Sequence, residues 1–374
     1  VVHLFGQPAH LRDPRMHVEG REVHLDRQAN RVWVNGNGLL QLPLPEGTSI
    51  ATLRQGISPS GNNPKSPEAG KTPNSKLPDL DVWWGESMEF DGLTAKFIGK
   101  VTAEMGLSRM RCEQMDVKLD SRLSFTDLEA RTQPELSSVH CREDVTFENS
   151  EYEGNKLVGV QRGSVAEFTV KNLKSETIAQ GPGHIEIWMR DKRSLEKSNS
   201  DIAGPRAMSR ANRPISAVTS EWNYTRVDFK GKMTGKIDSQ RSKFHDGVWI
   251  VHGPVARPND KINRDKLPAD AGSMRCEELQ FANHSADDEH PEDYQEMVGR
   301  GNAEIEGRGF YANADEICYD GSKGSYMLRA HGNQSATIAR DAERGTRQET
   351  SGRRIEFIKS TNTVKVDWAN GGSQ

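Results

Sequence analysis

The sequence predicts an all-β protein built from repeated antiparallel strand pairs, and three observations support this prediction. A phrase consisting of an alternating strand, a polar turn, a second strand and a glycine occurs at 23–36 and again at 317–332. Looser copies begin at Val145 and at Ile355. Helical periodicity is scarce, and its best example, 124–131, is too short to indicate a stable helix.

Repetition of this phrase restricts the architecture. A strand pair with period-two alternation has an apolar face that it cannot bury alone, so the copies must pair into a longer sheet with a continuous inner surface. The 374 residues are enough for two domains of ordinary size. Only 34% of them are apolar, below the roughly 45–50% of typical globular chains, so we do not expect a thick multilayer core.

Period-two alternation predicts individual strands along the chain, among them 95–103, 184–189, 227–229 and 248–250. In each of these strands, apolar side chains recur at every second position and therefore share one face. The residues on these inward faces include Phe97, Val101, Ile185, Ile187, Phe229 and Ile250.

A second repeat relation predicts two tandem units. The segments 82–112 and 222–276 have the same order of strand signals, and each ends in a Met-Arg-Cys phrase. We therefore expect a first unit at 1–215 and a second unit at 216–374. The shared phrase also predicts that its two cysteines occupy equivalent positions.

Insertions rich in Pro, Ser, Gly and Asn separate the predicted strands. They have too little apolar surface to offset the entropy of ordering, so we expect mobile loops that leave the repeat intact. The insertion near 54–78 is predicted to be disordered, and the other insertions cover 191–216, 257–272, 283–294 and 341–352.

Charge and cysteine content narrow the function classes. Charged residues reach 28% but nearly cancel to a net charge of −4, so we expect no nucleic-acid partner. No apolar run of about 18 residues predicts a transmembrane helix. The chain starts at Val1 without a signal segment, so we interpret it as a fragment that lacks an export signal or membrane anchor. The four cysteines are predicted to be small buried hydrophobes, with a disulfide as the alternative.

The sequence contains few signs of catalytic or metal chemistry. It has no Gly-x-Ser-x-Gly elbow, phosphate loop, Cys-x-x-Cys pair or His-Glu-x-x-His motif, so we predict no catalytic residue. His3, His10, His17 and His24 recur every seven residues, a spacing that alternates faces along one strand. We therefore interpret the spacing as coincidence and predict no metal site.

Two segments resemble the repeats of the OstA/LptA family. The segment 314–333 reads as an Ala-Asp strand, a Tyr-Asp turn and a strand that closes on Gly-Asn, and 354–366 resembles the closing strand pair of that family. The resemblance implies a periplasmic β-jellyroll of stacked antiparallel strands, open along one side, that carries lipopolysaccharide without a cofactor or a catalytic residue. It also implies that edge strands join the protein to neighbouring jellyrolls.

On this interpretation, the inward-facing residues line a trough for acyl chains. Removing acyl methylenes from water is worth about 0.8 kcal/mol each, so a continuous apolar lining can hold lipopolysaccharide or a similar multi-acyl lipid. The candidate lining residues are Phe97, Val101, Ile185, Ile187, Phe229, Ile250, Val364 and Val366.

Two other functions stay open from the sequence. A structural or adhesive β-repeat would fill its interior with its own side chains and leave no trough. A carbohydrate-active β-solenoid would need an acidic cluster beside Trp188 or Trp249, and the carboxylates of this chain show no such convergent spacing. Closure of the interior distinguishes the first of these alternatives from a lipid carrier.

Overall fold

The fold is all-β and antiparallel, as the sequence predicts, and no α-helix occurs in the part of the chain that is described. The predicted insertions at 54–78 and 191–216 lie outside the described residues. The computed structural model describes residues 1–13, 16–43, 79–126, 134–190, 221–236, 241–284, 294–307, 309–341, 347–358 and 361–367.

The described residues include one short 3-10 helix, Asn172–Lys174. The strands in the described ranges are β1 (Val2–Asp13), β2 (Met16–Asp26), β3 (Arg31–Pro43), β4 (Asp79–Trp84), β5 (Ser87–Phe90), β6 (Thr94–Met105), β7 (Ser108–Leu119), β8 (Leu136–Glu153), β9 (Lys156–Lys171), β10 (Glu176–Gln180), β11 (Gly183–Arg190), β12 (Trp222–Phe229), β13 (Lys232–Lys236), β14 (Arg241–Val255), β15 (Gly272–His284), β16 (Tyr294–Gly307), β17 (Phe310–Asp320), β18 (Ser325–Arg329), β19 (Ala336–Asp341), β20 (Arg347–Gly352), β21 (Arg354–Ile358) and β22 (Thr363–Asp367).

The repeated phrases of the sequence form hairpins. The phrase at 23–36 forms the β2–β3 hairpin, in which Asp26 lies opposite Arg31, and the phrase at 317–332 forms the β17–β18 hairpin. The two looser copies form the β8–β9 and β21–β22 hairpins. The hairpin predictions are therefore confirmed, because period-two alternation around a polar turn specifies both the strands and their register.

All strands belong to one hydrogen-bonded sheet with two halves. The first half-sheet contains the short strands β4, β11, β12, β19 and β20, and the second contains β5, β10, β13, β18, β21 and β22. The long strands, such as β6–β9 and β14–β17, pass through both. The ladder is continuous from β11 to β12, on either side of residue 215. The division into two tandem units stays a prediction.

Pairs of residues in the left-handed conformation divide the long strands into their two parts. Each pair interrupts the ladder, and the neighbouring strand has fewer residues at the same level, so the sheet bends there as at a β-bulge. We call this line of interruptions the crease. The pairs lie in β6, β8, β14 and β16 and consist of Gly99–Lys100, Glu143–Asp144, Asp246–Gly247 and Gly301–Asn302.

The crease folds the sheet over its own apolar face. In the N-terminal region, Met16 and Leu42 of the first half-sheet face Phe90 and Leu119 of the second. The space between them is too small for a water molecule. Buried side chains from Ala9 to Phe357 form one continuous hydrophobic core between the half-sheets.

The two Met-Arg-Cys phrases occupy equivalent places in this architecture. Cys112 in β7 and Cys276 in β15 both lie where the ladder shifts register at the crease, and both are buried. The strands that precede them also pair in the same order, since β4 and β5 both pair with β6 as β12 and β13 both pair with β14. The predicted equivalence of the two cysteines is confirmed.

A glycine at the crease is required for close approach. A Cβ atom added to Gly99, whose φ is +87°, would lie 2.9 Å from Cβ of Glu86, whereas one added to Gly106, whose φ is +58°, would meet nothing within 4 Å. We expect Gly106→Ala to lower the free energy of unfolding by about 1–2 kcal/mol through backbone strain alone. Gly99→Ala should lower the free energy of unfolding by about 1–3 kcal/mol more than Gly106→Ala, because its added methyl group overpacks against Glu86.

Urea unfolding of the two variants and the parent checks this prediction. Equal losses in the two variants would show that the crease does not depend on the contact between Gly99 and Glu86.

Candidate functional site

The interior opens into a groove in the C-terminal region, which we call the C-terminal groove. It has a volume of about 410 Å³ and lies between the two half-sheets. Its walls come from the inward faces of β14–β18, where alternation places apolar side chains opposite one another. The apolar lining consists of Ile250, Met274, Ile305 and Phe310 from the first half-sheet and Phe281, Met297, Tyr319 and Tyr326 from the second.

The tyrosines of the groove are neutral members of an aromatic wall. The ring of Tyr326 lies 4.9 Å from that of Tyr319 and 5.5 Å from that of Phe310, between ring centres. Burial, and then the neighbouring Tyr319, raises the pKa of Tyr326. Burial likewise raises the pKa of Tyr319. The wall therefore stays uncharged at neutral pH.

Polar groups lie at the rim of the groove. The Nδ1 atom of His252 is 2.8 Å from Oγ1 of Thr225, which orients the imidazole. Gln295 lines the opposite wall, and its Nε2 atom is buried without a hydrogen-bond acceptor among the described residues. A buried amide donor without an acceptor is costly to the folded protein.

The residues predicted to line a trough have three different locations. Ile250 lines the C-terminal groove. Val364 and Val366 are only partly covered and pack at the edge of the core, with Val366 beside Arg353 and Arg354 in a shallow surface depression. The remaining residues are at most 3% exposed inside the closed core: Phe97, Val101, Ile185, Ile187 and Phe229.

Most of the groove residues are not among those predicted from the sequence. Met297 follows a polar stretch, so the alternation around it is weak. Tyr326 lies in the predicted strand pair at 317–332, where alternation alone does not show which face points inward. A signal is present in retrospect, since Gly299 and Gly307 alternate with large apolar residues in β16. A Cβ atom at Gly299 would lie 2.7 Å from Sδ of Met274, so the lack of a side chain here lets Met274 pack directly against the strand.

A segment at 256–271 covers an apolar patch on the outer face of the first half-sheet and ends at the rim of the groove. Ile262, Leu267 and Ala271 pack against a cluster that includes Trp188 and Tyr224. The indole Nε1 atom of Trp188 also donates a hydrogen bond to the carbonyl oxygen of Asp260, at 2.7 Å. The prediction that 257–272 has too little apolar surface to become ordered is therefore wrong.

A buried carboxylate anchors this covering segment. Glu186 accepts hydrogen bonds from Lys261 Nζ at 2.8 Å, from the Tyr224 hydroxyl at 2.8 Å and from Arg226 Nη1 at 3.2 Å. Burial alone would raise the pKa of Glu186, but the hydrogen bonds from Lys261 and Tyr224 and the nearby cations outweigh it and lower that pKa. Ionised Glu186 therefore connects the segment to β11 and β12.

The four cysteines are free thiols. Cys112, Cys141 and Cys276 are buried, as the preferred sequence interpretation predicts, whereas Cys318 is only partly buried. Burial raises the pKa of Cys276 to about 12 and that of Cys318 to about 11. Burial, and then a hydrogen bond with Cys112, raises the pKa of Cys141 well above its ordinary value. Because the thiolate is the reactive form, these thiols are weak nucleophiles at neutral pH.

Clusters of potential metal ligands are rare in the described chain. The one group of three that is close enough to share an ion, His10, His17 and Glu19, lies on the outer face of β1 and β2 and outside the groove. The groove rim contains Asp270 and Glu306, but no third ligand is near enough among the described residues.

No protein-family model and no curated protein sequence matches the chain. The resemblance to the OstA/LptA family therefore stays a prediction based on the motifs at 314–333 and 354–366. Within the described residues, no helix has the length and apolar character needed to cross a bilayer.

We expect the contribution of Glu186 to stability to depend on pH. Its pKa is lower in the folded protein than the ordinary value of 4.5, so the stabilisation is fully present above pH 4.5 and is lost as the pH falls through the lowered pKa. Glu186→Gln should lower the free energy of unfolding by about 1–3 kcal/mol at pH 7, and this difference should shrink towards acid.

Urea unfolding of the parent and the variant across a pH series measures the difference. Glu153→Gln, at an exposed position, serves as the control, and a Glu186→Gln difference that stays constant down to pH 2 would contradict the assignment.

Proposed function

We propose that this protein is a non-enzymatic lipid carrier of the bacterial cell envelope, of the OstA/LptA type, and that the C-terminal groove holds an acyl chain. The groove is the observation that carries the proposal. Its volume of about 410 Å³ falls within the roughly 300–1,000 Å³ of typical ligand sites. Its lining combines apolar and aromatic side chains with a similar amount of polar surface, from residues such as His252, Gln295 and Glu306, and this combination suits a ligand with an apolar tail and a polar head.

The expected binding energy is sufficient for a carrier. Burial of ten methylene groups would contribute about 8 kcal/mol, from which the cost of association and ordering is subtracted. Such a site binds and releases its ligand reversibly, as transport requires. The lipid of the proposed function is lipopolysaccharide or a similar multi-acyl lipid, with one acyl chain in the groove.

The sheet edges support the proposed assembly with neighbouring proteins. In the described chain, β1 pairs with β2 alone and β22 with β21 alone. Their outer edges therefore present backbone donors and acceptors to which another strand can pair. An open jellyroll made of two tandem units, located in the periplasm and joined edge to edge with other jellyrolls, is the arrangement that we propose.

A structural β-repeat is the second candidate, and one observation favours it. In the N-terminal region the interior is closed by the protein's own side chains, and Phe97 is only 1% exposed. A structural function would need no more than this. A structural function does not account for the C-terminal groove, so the structural β-repeat is the second candidate.

The carbohydrate-active alternative has less support. Trp188 is fully buried, and the guanidinium groups of Arg264 and Arg275 lie 4.5 and 4.0 Å from the ring centre of Trp249. These indole rings are therefore covered by protein groups and are poorly placed to stack on a sugar. The nearby carboxylate of Glu186 is held by three hydrogen bonds.

Substitution of Met297 tests lipid binding. Met297→Gln keeps the length of the side chain but places an amide in the apolar wall, which costs about 1–3 kcal/mol when an acyl chain prevents its hydration. We expect this variant to bind a fluorescent fatty acid about tenfold more weakly than the parent, and lipopolysaccharide to displace the probe from the parent.

The matched control is Met327→Gln. Met327 lies on β18, and its Sδ atom contacts Nε of Arg354 outside the groove. Saturable binding by the parent that survives Met297→Gln unchanged would refute the groove as the site. No binding by the parent at all would favour the structural alternative.

A further inference from the structure

The hairpin of β1 and β2 brings the regularly spaced histidines together in pairs. His3 lies opposite His24, while His10 lies opposite Glu19 and diagonal to His17. A register shift between Phe5 and Ala9 places both pairs on the outer face of the sheet. The seven-residue spacing therefore brings histidines together across the hairpin, although along a single strand it places them on alternating faces.

The second of these pairs has the geometry of a metal site. The Nδ1 atom of His10 is 3.2 Å from Oε1 of Glu19, and the Nε2 atom of His17 is 3.3 Å from that same oxygen. The three ligand atoms all lie within 4.8 Å of one another. Tetrahedral Zn²⁺ with bonds of about 2.0–2.1 Å places its ligand atoms about 3.3–3.4 Å apart.

A second, independent observation is the support of the His17 ring. Its Nδ1 atom is 3.0 Å from Oε1 of Gln41, and Nε2 of Gln41 donates a hydrogen bond to Oδ1 of Asp81, also at 3.0 Å. Because Oε1 of Gln41 only accepts, His17 donates from Nδ1, and Nε2 is the ring nitrogen that lies towards Glu19. Metal-binding histidines are oriented by such partners.

We propose that His10, His17 and Glu19 bind a Zn²⁺ ion, with the fourth position open to water. Two imidazoles and one carboxylate are a ligand set that zinc accepts. The ion connects β1, which has a free edge, to β2, and so holds the outermost strand of the sheet in register. The site lies on the outer face of the sheet, outside the groove.

One neighbouring cation has to be considered. The Nε atom of Arg12 lies 3.4 Å from Nε2 of His17. Arg12 is exposed on the edge strand, so its side chain is free to move into solvent when an ion binds. Removing this charge should strengthen zinc binding, which makes Arg12→Gln a variant with the opposite expected effect.

Isothermal titration of the chelator-treated full chain with Zn²⁺ tests the proposal. We expect the parent to bind one Zn²⁺ per chain. Gln41→Leu removes only the hydrogen-bond partner of a ligand and should weaken zinc binding about 10–100-fold. His17→Ala or Glu19→Gln removes a ligand itself and should weaken zinc binding more than about 100-fold. The zinc-loaded parent should also unfold at a higher temperature than the zinc-free parent.

His3→Ala is the matched control, because it removes a histidine from the same hairpin. Circular dichroism confirms that each variant is folded, and Co²⁺ absorption of the parent, absent in His17→Ala, reports ligation directly. Any of three results would overturn the proposal: no binding by the parent, unchanged binding by His17→Ala, or an equal loss in His3→Ala and His10→Ala.

Discussion

A single sheet with one apolar face must bury that face against itself. In this chain the crease bends the sheet so that its two halves pack face to face. The left-handed pairs, such as Gly99–Lys100 and Asp246–Gly247, lie at the same level in alternate long strands. They bend the strands without ending them, so backbone hydrogen bonds continue on both sides of the bend. The core, the groove and the positions of Cys112 and Cys276 all depend on this bend.

Side-chain size decides where the folded sheet is closed. In the N-terminal region, large rings fill the space: Trp84 lies 5.3 Å from Phe97, and Phe147 lies 5.3 Å from Phe168, between ring centres. Farther along the chain, small buried residues replace them on the inner face of β16 and β17, namely Ala303, Ala312 and Ala314. The lining of the C-terminal groove itself includes Ala271, Gly272, Gly307 and Gly321, which fill little of the space between the half-sheets.

Local periodicity in the sequence predicts the strands. It does not predict which residues of distant strands lie opposite one another in the folded protein. The hairpin at 23–36 follows from alternation around a polar turn, which is information contained in a few adjacent residues. The crease at Glu143–Asp144 contains no glycine, so the residue types there do not indicate a left-handed backbone conformation. The candidate groove residues were predicted from inward faces, yet Phe97 and Ile250 share that property and differ only in what lies opposite them. Likewise, His10 and His17 meet across the β1–β2 hairpin, a pairing that the spacing of histidines along one strand does not indicate.

The pairing of successive strands has a consequence for how such a chain could grow. Most strands pair with neighbours that are close in sequence, so the ladder forms through short loop closures rather than through distant crossovers. A hairpin duplicated at one end would find its hydrogen-bonding partners already displayed, and none of the existing contacts would need rearrangement. Length is thereby a freely variable quantity in this architecture, and evolution can adjust it by adding or deleting one hairpin at a time.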